Sequence, residues 1–449
     1  MPCKNKIAVG FIVPPEGAIG GSPYSEKWFS EKKQKVLDKL HTMFPDIKFV
    51  TYDIRNVNDV SDFLDRESDS IGYLIFILNC IAGLIRPILY SGKPVIMIGE
   101  TYGGSGEFLL EYSSAKEEGR PVLGVVTRNI DDERVLGKVR LFKVIYKLRN
   151  SKILFIVSPA ERLLMNLEYP LSVDLYSSIK ALQTVSGITP ILLDVREFVK
   201  KYYQHVDEGE AKKVAEKWVK NAMRNYEEDN EEIVKSAKLY LAMRNAIKDY
   251  EANAIAVDCI VLYNSGFLDA WPCLGYMELW YDGIVPICEA DAYSAFSLLA
   301  MKYLADRPGF ISDPSPDNLK DEVVYYHCYS PTCPYGLAGK TCPYTIIPAH
   351  LGSKHASVFV ELPINEEITV VGFIPEERVL TLHTAKAVSN EFSSYACATK
   401  LVGRTNTCAL INNWRKRAGW HRVVFYGNWR EELKDLATLL GLKVIEEDK

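Results

Sequence analysis

The stretch 287–296, ICEADAYSAF, sets two carboxylates, Glu289 and Asp291, directly after an apolar run and before a pattern of small and apolar residues. In an open α/β sheet, ligands bind outside the carboxyl ends of the strands, and these acids fall at such an end. Two chemistries suit them. Asp291 or Ser294 can cap the helix that begins near residue 294. Alternatively the pair holds a divalent cation, the natural partner of clustered carboxylates.

Histidine narrows the search, because the chain has only seven. His41 and His205 lie in helical or polar context and read as surface residues. His327 ends the run in VVYYHCYSP just before a proline-containing turn, and His421 begins a strand after the Gly-Trp of AGWHRVVFYG. Both positions suit a structural histidine, and both are rigid strand ends from which a ligand can be presented. Asp313, in GFISDPSP, reads by default as an Asx turn or cap before its proline. A competing group, His327, Cys328, Cys333 and Cys342 in HCYSPTCPYGLAGKTCP, has the residue types of a Cys3His zinc staple across 327–342. It lacks the usual Cys-x2-Cys spacing, and cysteines in a proline-rich loop are its other reading.

Other chemistries find no support. The glycine-rich IGETYGGSGEF at 98–108 follows a strand but contains neither Gly-x-Gly-x-x-Gly nor Gly-Lys-Ser/Thr, so it is no nucleotide-phosphate cradle. It reads as a ligand-contacting or subunit-contacting loop, as does VPPEGAIGGSP at 13–23. There is no Gly-x-Ser-x-Gly nucleophile elbow. A net charge of −5 argues against nucleic-acid or anionic-membrane binding, which calls for a basic face. The longest apolar run, 71–89, is broken by Asn79, Arg86 and Pro87 and reads as a buried strand and a short helix rather than a membrane span. No signal peptide is read at the N-terminus, the ten cysteines form no regular framework, and the expected location is the cytoplasm.

The elements that must position these residues fall into three regimes. Residues 1–150 alternate continuous apolar strands (6–13, 47–54, 72–78, 94–99, 121–127) with amphipathic segments such as 24–42. That is the pattern of a parallel sheet covered on both faces. Residues 151–314 repeat the rhythm, with strands at 152–158, 188–195, 254–263 and 284–291, a long charged helical region at 196–252, and helices at 272–283 and 294–306. Residues 315–449 change to alternating strands with short turns and a closing helix near 430–440, which suggests an antiparallel barrel or sandwich. The expected fold is α/β: two consecutive doubly wound α/β domains followed by a β-rich, barrel-like C-terminal domain.

The segment PCLGYMELWYDGIVPICEADAYSAFSLLAMKYL at 272–304 resembles the part of L-arabinose isomerases where a Pro-x-Leu helix leads through a glycine to a Glu-x-Asp strand end. L-fucose isomerases have a similar Glu-x-Asp followed by a helix. GRTNTCALINNW and GWHRVVFYGNWREELKDLATLLGLKVIEE, near the C-terminus, resemble the close of fucose isomerase-like proteins, and the order of domains is similar. The resemblance covers most of residues 255–449 and is architectural over 1–250.

What the resemblance implies is a metal-dependent aldose–ketose isomerase acting on a pentose or 6-deoxyhexose through an enediol. It implies a divalent ion, Mn2+ first and Co2+ or Mg2+ next. Glu289, Asp291, Asp313, His327 and His421 become its ligands, with Glu289, Asp291 and Asp313 as the acids that move protons. It also implies a homo-oligomer, commonly a hexamer, with a small-molecule sugar as partner. The residue types make sense of that chemistry: a chelated ion polarises the carbonyl, and a carboxylate removes and returns the proton. A non-catalytic or differently specific sugar- or polyol-binding relative, and a structural protein with the zinc staple, are the other readings.

Overall fold

The computed structural model describes residues 5–13, 23–80, 83–161, 175–227, 229–348 and 356–449. The chain divides into two compact units, Met1–Lys147 with Glu431–Lys443, and Leu148–Arg430 with Val444–Lys449. No helix among the described residues is long and apolar enough to cross a membrane.

In the first unit, β1 (Lys6–Ile12), β2 (Lys48–Ile54), β3 (Tyr73–Ile77), β4 (Val95–Glu100) and β5 (Val122–Thr127) form one parallel sheet in the order 2-1-3-4-5. The continuous apolar runs that announce β1, β3 and β4 are buried throughout, as inner strands of such a sheet require. Ala8, Ile12, Ile75, Ile77 and Met97 join Phe63, Ile88 and Phe108 in its core. The helix Glu26–Met43 starts at Ser25, which accepts from Trp28 N, and Val57–Arg66 starts at a reciprocal Asn56–Asp59 capping box. The glycine-rich loop after β4 has a packing role. A side chain on Gly103 or Gly104 would collide with the carbonyl oxygens of Leu78 and Ile77. Glu100 fastens the same loop by accepting from Tyr102 N at 2.9 Å and Gly103 N at 2.7 Å. The other glycine-bearing stretch falls at 14–22, outside the described residues.

In the second unit come β6 (Lys152–Val157), β7 (Thr189–Asp194), the two-residue β8 (Arg224–Asn225), β9 (Ala254–Val257) and β10 (Val285–Cys288). Strands 10-9-6-7 form a four-stranded parallel sheet. The run 254–263, expected as one strand, is a strand only to Val257 and then a helix, Cys259–Asn264. The neighbouring partners stop at Cys288 and Ile156, so later residues have no ladder to join and satisfy their backbone along the chain instead. The charged region 196–252 resolves into helices Val195–Lys201, Glu208–Asn221 and Asn230–Tyr250, the last two capped by Asp207 and Asp229.

The remaining strands are β11 (Phe310–Asp317), β12 (Glu322–His327), β13 (Tyr344–Pro348), β14 (Ala356–Val360), β15 (Glu367–Ile374), β16 (Val379–Asn390), β17 (Thr399–Arg404), β18 (Arg422–Tyr426) and β19 (Lys443–Glu446). Strands 15-18-11-12-17-16 are antiparallel, and the pairing of β15 with β16 closes them into a six-stranded barrel. Strand β19 lies beside β16, and β14-β13-β8 make a small separate sheet. Phe296, on the helix Ala292–Ala305 that follows β10, stacks on Phe373 of β15 with ring centroids 4.2 Å apart.

Candidate metal centre

The site begins where β10 runs out. After the buried run Val285–Cys288, Glu289 and Ala290 both take left-handed backbone angles, with φ of 55° and 51°. Two such residues without glycine cost about 1–2 kcal/mol each. The turn is held by Ala290 N on Val257 O and Asp291 N on Cys288 O, both at 3.1 Å. It leads directly into the helix Ala292–Ala305, with Asp291 at the N-cap.

The sequence left capping and ion binding as alternatives for this pair, and Asp291 has a partner in each direction. Its Oδ1 accepts from Tyr293 N at 3.0 Å and Ser294 N at 3.2 Å, which is the cap. Its Oδ2 lies 3.0 Å from His421 Nδ1. A carboxylate accepts, so Nδ1 carries the hydrogen, and Nε2 is turned toward the other acids. This is the carboxylate–histidine arrangement that orients metal-binding imidazoles.

Barrel register supplies the rest. Ser312 of β11 pairs with Arg422 of β18, which brings Asp313 beside His421, while Asp313 itself pairs with Tyr326, one residue before His327. Asp313 therefore sits within a strand, paired on the barrel, and not in the turn or helix cap expected from its proline neighbour. Three adjacent strands deliver Asp313, His327 and His421 to one place, and the β10 turn delivers Glu289 to the same place.

The contacts share a length. His327 Nε2 is 3.5 Å from Glu289 Oε1, His421 Nε2 is 3.6 Å from Glu289 Oε2, and His421 Nε2 is 3.4 Å from Asp313 Oδ1. The two imidazoles lie 5.4 Å apart at 77°. These separations are long for hydrogen bonds. They suit ligands of one ion, since bonds of about 2.1 Å put neighbouring ligand atoms about 3–4 Å apart. His327 is fully buried, and neither ring nitrogen makes a hydrogen bond. A buried imidazole without a hydrogen bond costs stability unless something else takes up its nitrogens, so the donor set fits a divalent cation. Two groups bring three ligand atoms within 4.8 Å of one another: Asp313, His327 and His421, and Cys288, Glu289 and His327.

The charges agree with that fit. Burial would push Glu289 up, but His327 and His421 beside it hold it down to about 2. Burial likewise opposes ionisation of Asp291, and His421 and Ser294 outweigh it and keep the carboxyl low. Burial would lower His421, yet Asp291, Glu289 and Asp313 raise it to about 10. The centre attracts positive charge.

Behind His421 lies a buried network that the sequence did not reveal. Arg422 donates to His421 O at 2.8 Å and to Glu447 at 2.8 Å, and Glu447 also meets His383 Nδ1 at 3.0 Å. His383 Nε2 is 2.8 Å from Tyr325 OH. Burial would raise Glu447, but Arg422 and His383 hold it down to about 2. Cys288, adjacent to Glu289 at the strand end, was not singled out by the sequence either; its position next to the acid pair was the available signal. Cys328, Cys333 and Cys342 are buried free thiols, and none joins a three-ligand group among the described residues.

No family model matches the chain. Over 152 residues it is 28% identical to the sulfoquinovose isomerases of Priestia aryabhattai and of Priestia megaterium (strain ATCC 12872 / QMB1551). Each match covers 33% of this chain and 33% of the relative, so the likeness to a sugar isomerase extends over a third of either protein.

Proposed function

We propose that the chain is a divalent-metal-dependent aldose–ketose isomerase acting on a sugar. The observation that carries this reading is the convergence of Glu289, Asp313, His327 and His421 at 3.4–3.6 Å, with His327 fully buried and neither of its ring nitrogens hydrogen-bonded. The partial likeness to two sugar isomerases supports the same class. Mn2+ is the proposed ion, with Co2+ and Mg2+ as substitutes.

Glu289, Asp313, His327 and His421 would hold the ion, with Asp291 orienting His421 through Nδ1. When bound, such an ion polarises a sugar carbonyl and stabilises the negative charge that develops on it. The chain's own part is proton transfer between adjacent carbons. Glu289 is ionised at neutral pH and its side chain is 26% exposed at the strand end, so it is the carboxylate we assign to remove and return the carbon-bound proton. Asp313, held on a paired strand, is the second acid of the exchange. The substrate class is a pentose or 6-deoxyhexose, and sulfoquinovose, a hexose altered at the same carbon, belongs in the test because of the relatives' names.

The test is exchange of the sugar C2 proton in deuterated water, followed by NMR with Mn2+ present, across pentoses, 6-deoxyhexoses and sulfoquinovose. Exchange with one sugar, abolished in Glu289→Gln, is the expected result. Binding of a sugar with no exchange for any of them would leave a binding protein and remove the isomerase.

A further inference from the structure

The second three-ligand group has different chemistry from the first. It combines the Cys288 sulfur with Glu289 and His327, all within 4.8 Å, and shares His327 with the oxygen–nitrogen set. We propose that Cys288, Glu289 and His327 form a thiophilic site that takes Zn2+ or Cd2+ in competition with the harder ion. The competition rests on the metal-dependent reading above, whereas the thiolate site stands without it.

Three observations support the proposal. Cys288 is 1% exposed and fixed at the last position of β10, so its sulfur is held beside Glu289 by the sheet and not by a mobile loop. His327 is fully buried with neither ring nitrogen in a close hydrogen bond, and its Nε2 faces the Glu289 carboxylate at 3.5 Å, so an ion between the two would take up both groups. The sulfur's recorded contact is another thiol, Cys259 Sγ at 3.9 Å, which offers only a weak hydrogen bond for an ion to displace. Zn–S bonds of about 2.3 Å and Zn–N bonds of about 2.0 Å fit within such a cluster after small side-chain adjustment.

Ligand softness separates the two sets. Thiolate favours Zn2+ and its heavier relative, while carboxylate and imidazole suffice for Mn2+ and Mg2+. Binding replaces the thiol's hydrogen: the S–H bond breaks, a sulfur–metal bond forms, the proton leaves to solvent, and nothing is oxidised or reduced. Because Glu289 and His327 would serve both ions, one ion excludes the other. Zinc is thus an inhibitor of the Mn2+ form, acting by displacement at its own ligands.

The experiment titrates metal-free protein with Cd2+ and follows thiolate-to-metal charge-transfer absorption in the ultraviolet, then repeats the titration on the Mn2+-loaded protein with free Mn2+ read by electron paramagnetic resonance. The expected result is absorption from one thiolate and release of one Mn2+ per Cd2+. In Cys288→Ser the absorption disappears and Cd2+ affinity falls on the order of a hundredfold. In Cys259→Ser the absorption stays. His421→Ala keeps the absorption and weakens Mn2+ binding, which separates the two ligand sets. Absorption that persists in Cys288→Ser, or its absence from the unmodified protein, overturns the proposal. A protein that binds no Mn2+ but shows Cys288-dependent absorption refutes the isomerase metal and keeps the thiophilic site. Should the serine variant fold poorly, Cys288→Ala, which removes the sulfur and keeps an apolar side chain at the buried position, takes its place, with the same loss of absorption expected.

Discussion

The proton on His421 opposes metal binding, and its effect can be measured. Without metal, Asp291, Glu289 and Asp313 overcome the effect of burial and hold His421 charged up to about pH 10. Asp291 holds Nδ1 at 3.0 Å, so the hydrogen that an ion must expel is the one on Nε2, the atom facing Glu289 and Asp313. From about pH 6.5 to about pH 9 each rise of one pH unit is expected to tighten Mn2+ binding about tenfold, or about 1.4 kcal/mol. Calorimetric titration with Mn2+ in buffers of different ionisation enthalpy measures both the affinity and the proton released, and one proton per ion is expected. In His421→Ala binding weakens and the pH slope vanishes. A dissociation constant that does not change with pH, or a slope that survives intact in His421→Ala, refutes this assignment of the proton.

The same shift governs stability without metal. The folded value, about 10, lies above the unfolded 6.5, so the stabilisation is full below about pH 6.5 and is lost as pH rises through about 10, at most about 5 kcal/mol. Thermal unfolding of metal-free protein should therefore move to lower temperature across that window, and saturating Mn2+ should flatten the change. Glu447 runs the other way. Its folded value, about 2, lies below the ordinary 4.5, so about 3 kcal/mol is present above pH 4.5 and lost as pH falls toward 2. Glu447→Gln should remove that acid dependence and cost about 3–5 kcal/mol in urea unfolding, because Arg422 is left buried beside a neutral partner. Asp291→Asn keeps an oxygen for the helix cap but removes the charge opposite His421, so metal-free stability should lose part of that about 5 kcal/mol below pH 6.5 while Mn2+ affinity falls about 10–100-fold by calorimetry. Gly104→Ala, which would force a methyl against Ile77 O, should lower the stability of the first unit by about 1–3 kcal/mol, read by the melting of its helices and strands.

How much of this could be read from the sequence depends on how local the cause is. Strands β1, β3 and β4 are continuous apolar runs because neighbours cover both faces, and such runs are visible without any partner. The Asp291 cap was equally visible, since its bonds run to Tyr293 and Ser294. The helix at Cys259–Asn264 was not, because IVLY has strand-like residues and only the ends of β6 and β10 decide that the ladder stops. Asp313 was read as a turn residue for the same reason: its proline looks like a break, and only pairing with β12 makes it a strand residue. Asp313 and His327 lie on the consecutive strands β11 and β12, but His421 joins them through the register of β18 with β11, 108 positions after Asp313, which no local pattern encodes. Arg422 and Glu447 look like surface charges in sequence, and only their mutual burial makes them a support for the His421 backbone.

Asp291 serves two masters with one carboxylate, and this ties backbone motion to occupancy of the centre. A positive charge on Nε2, whether the proton of the metal-free protein or an ion, strengthens the Nδ1–H bond to Oδ2, while Oδ1 continues to bind the amides of Tyr293 and Ser294. The first turn of Ala292–Ala305 then opens less often, and Phe296 carries that firmness to the barrel through Phe373. Amide hydrogen exchange at Tyr293 and Ser294 becomes a gauge of that charge: slow relative to its intrinsic rate while Nε2 holds a proton or an ion, faster in metal-free protein as pH rises toward about 10, and legible in protein that carries no substrate at all.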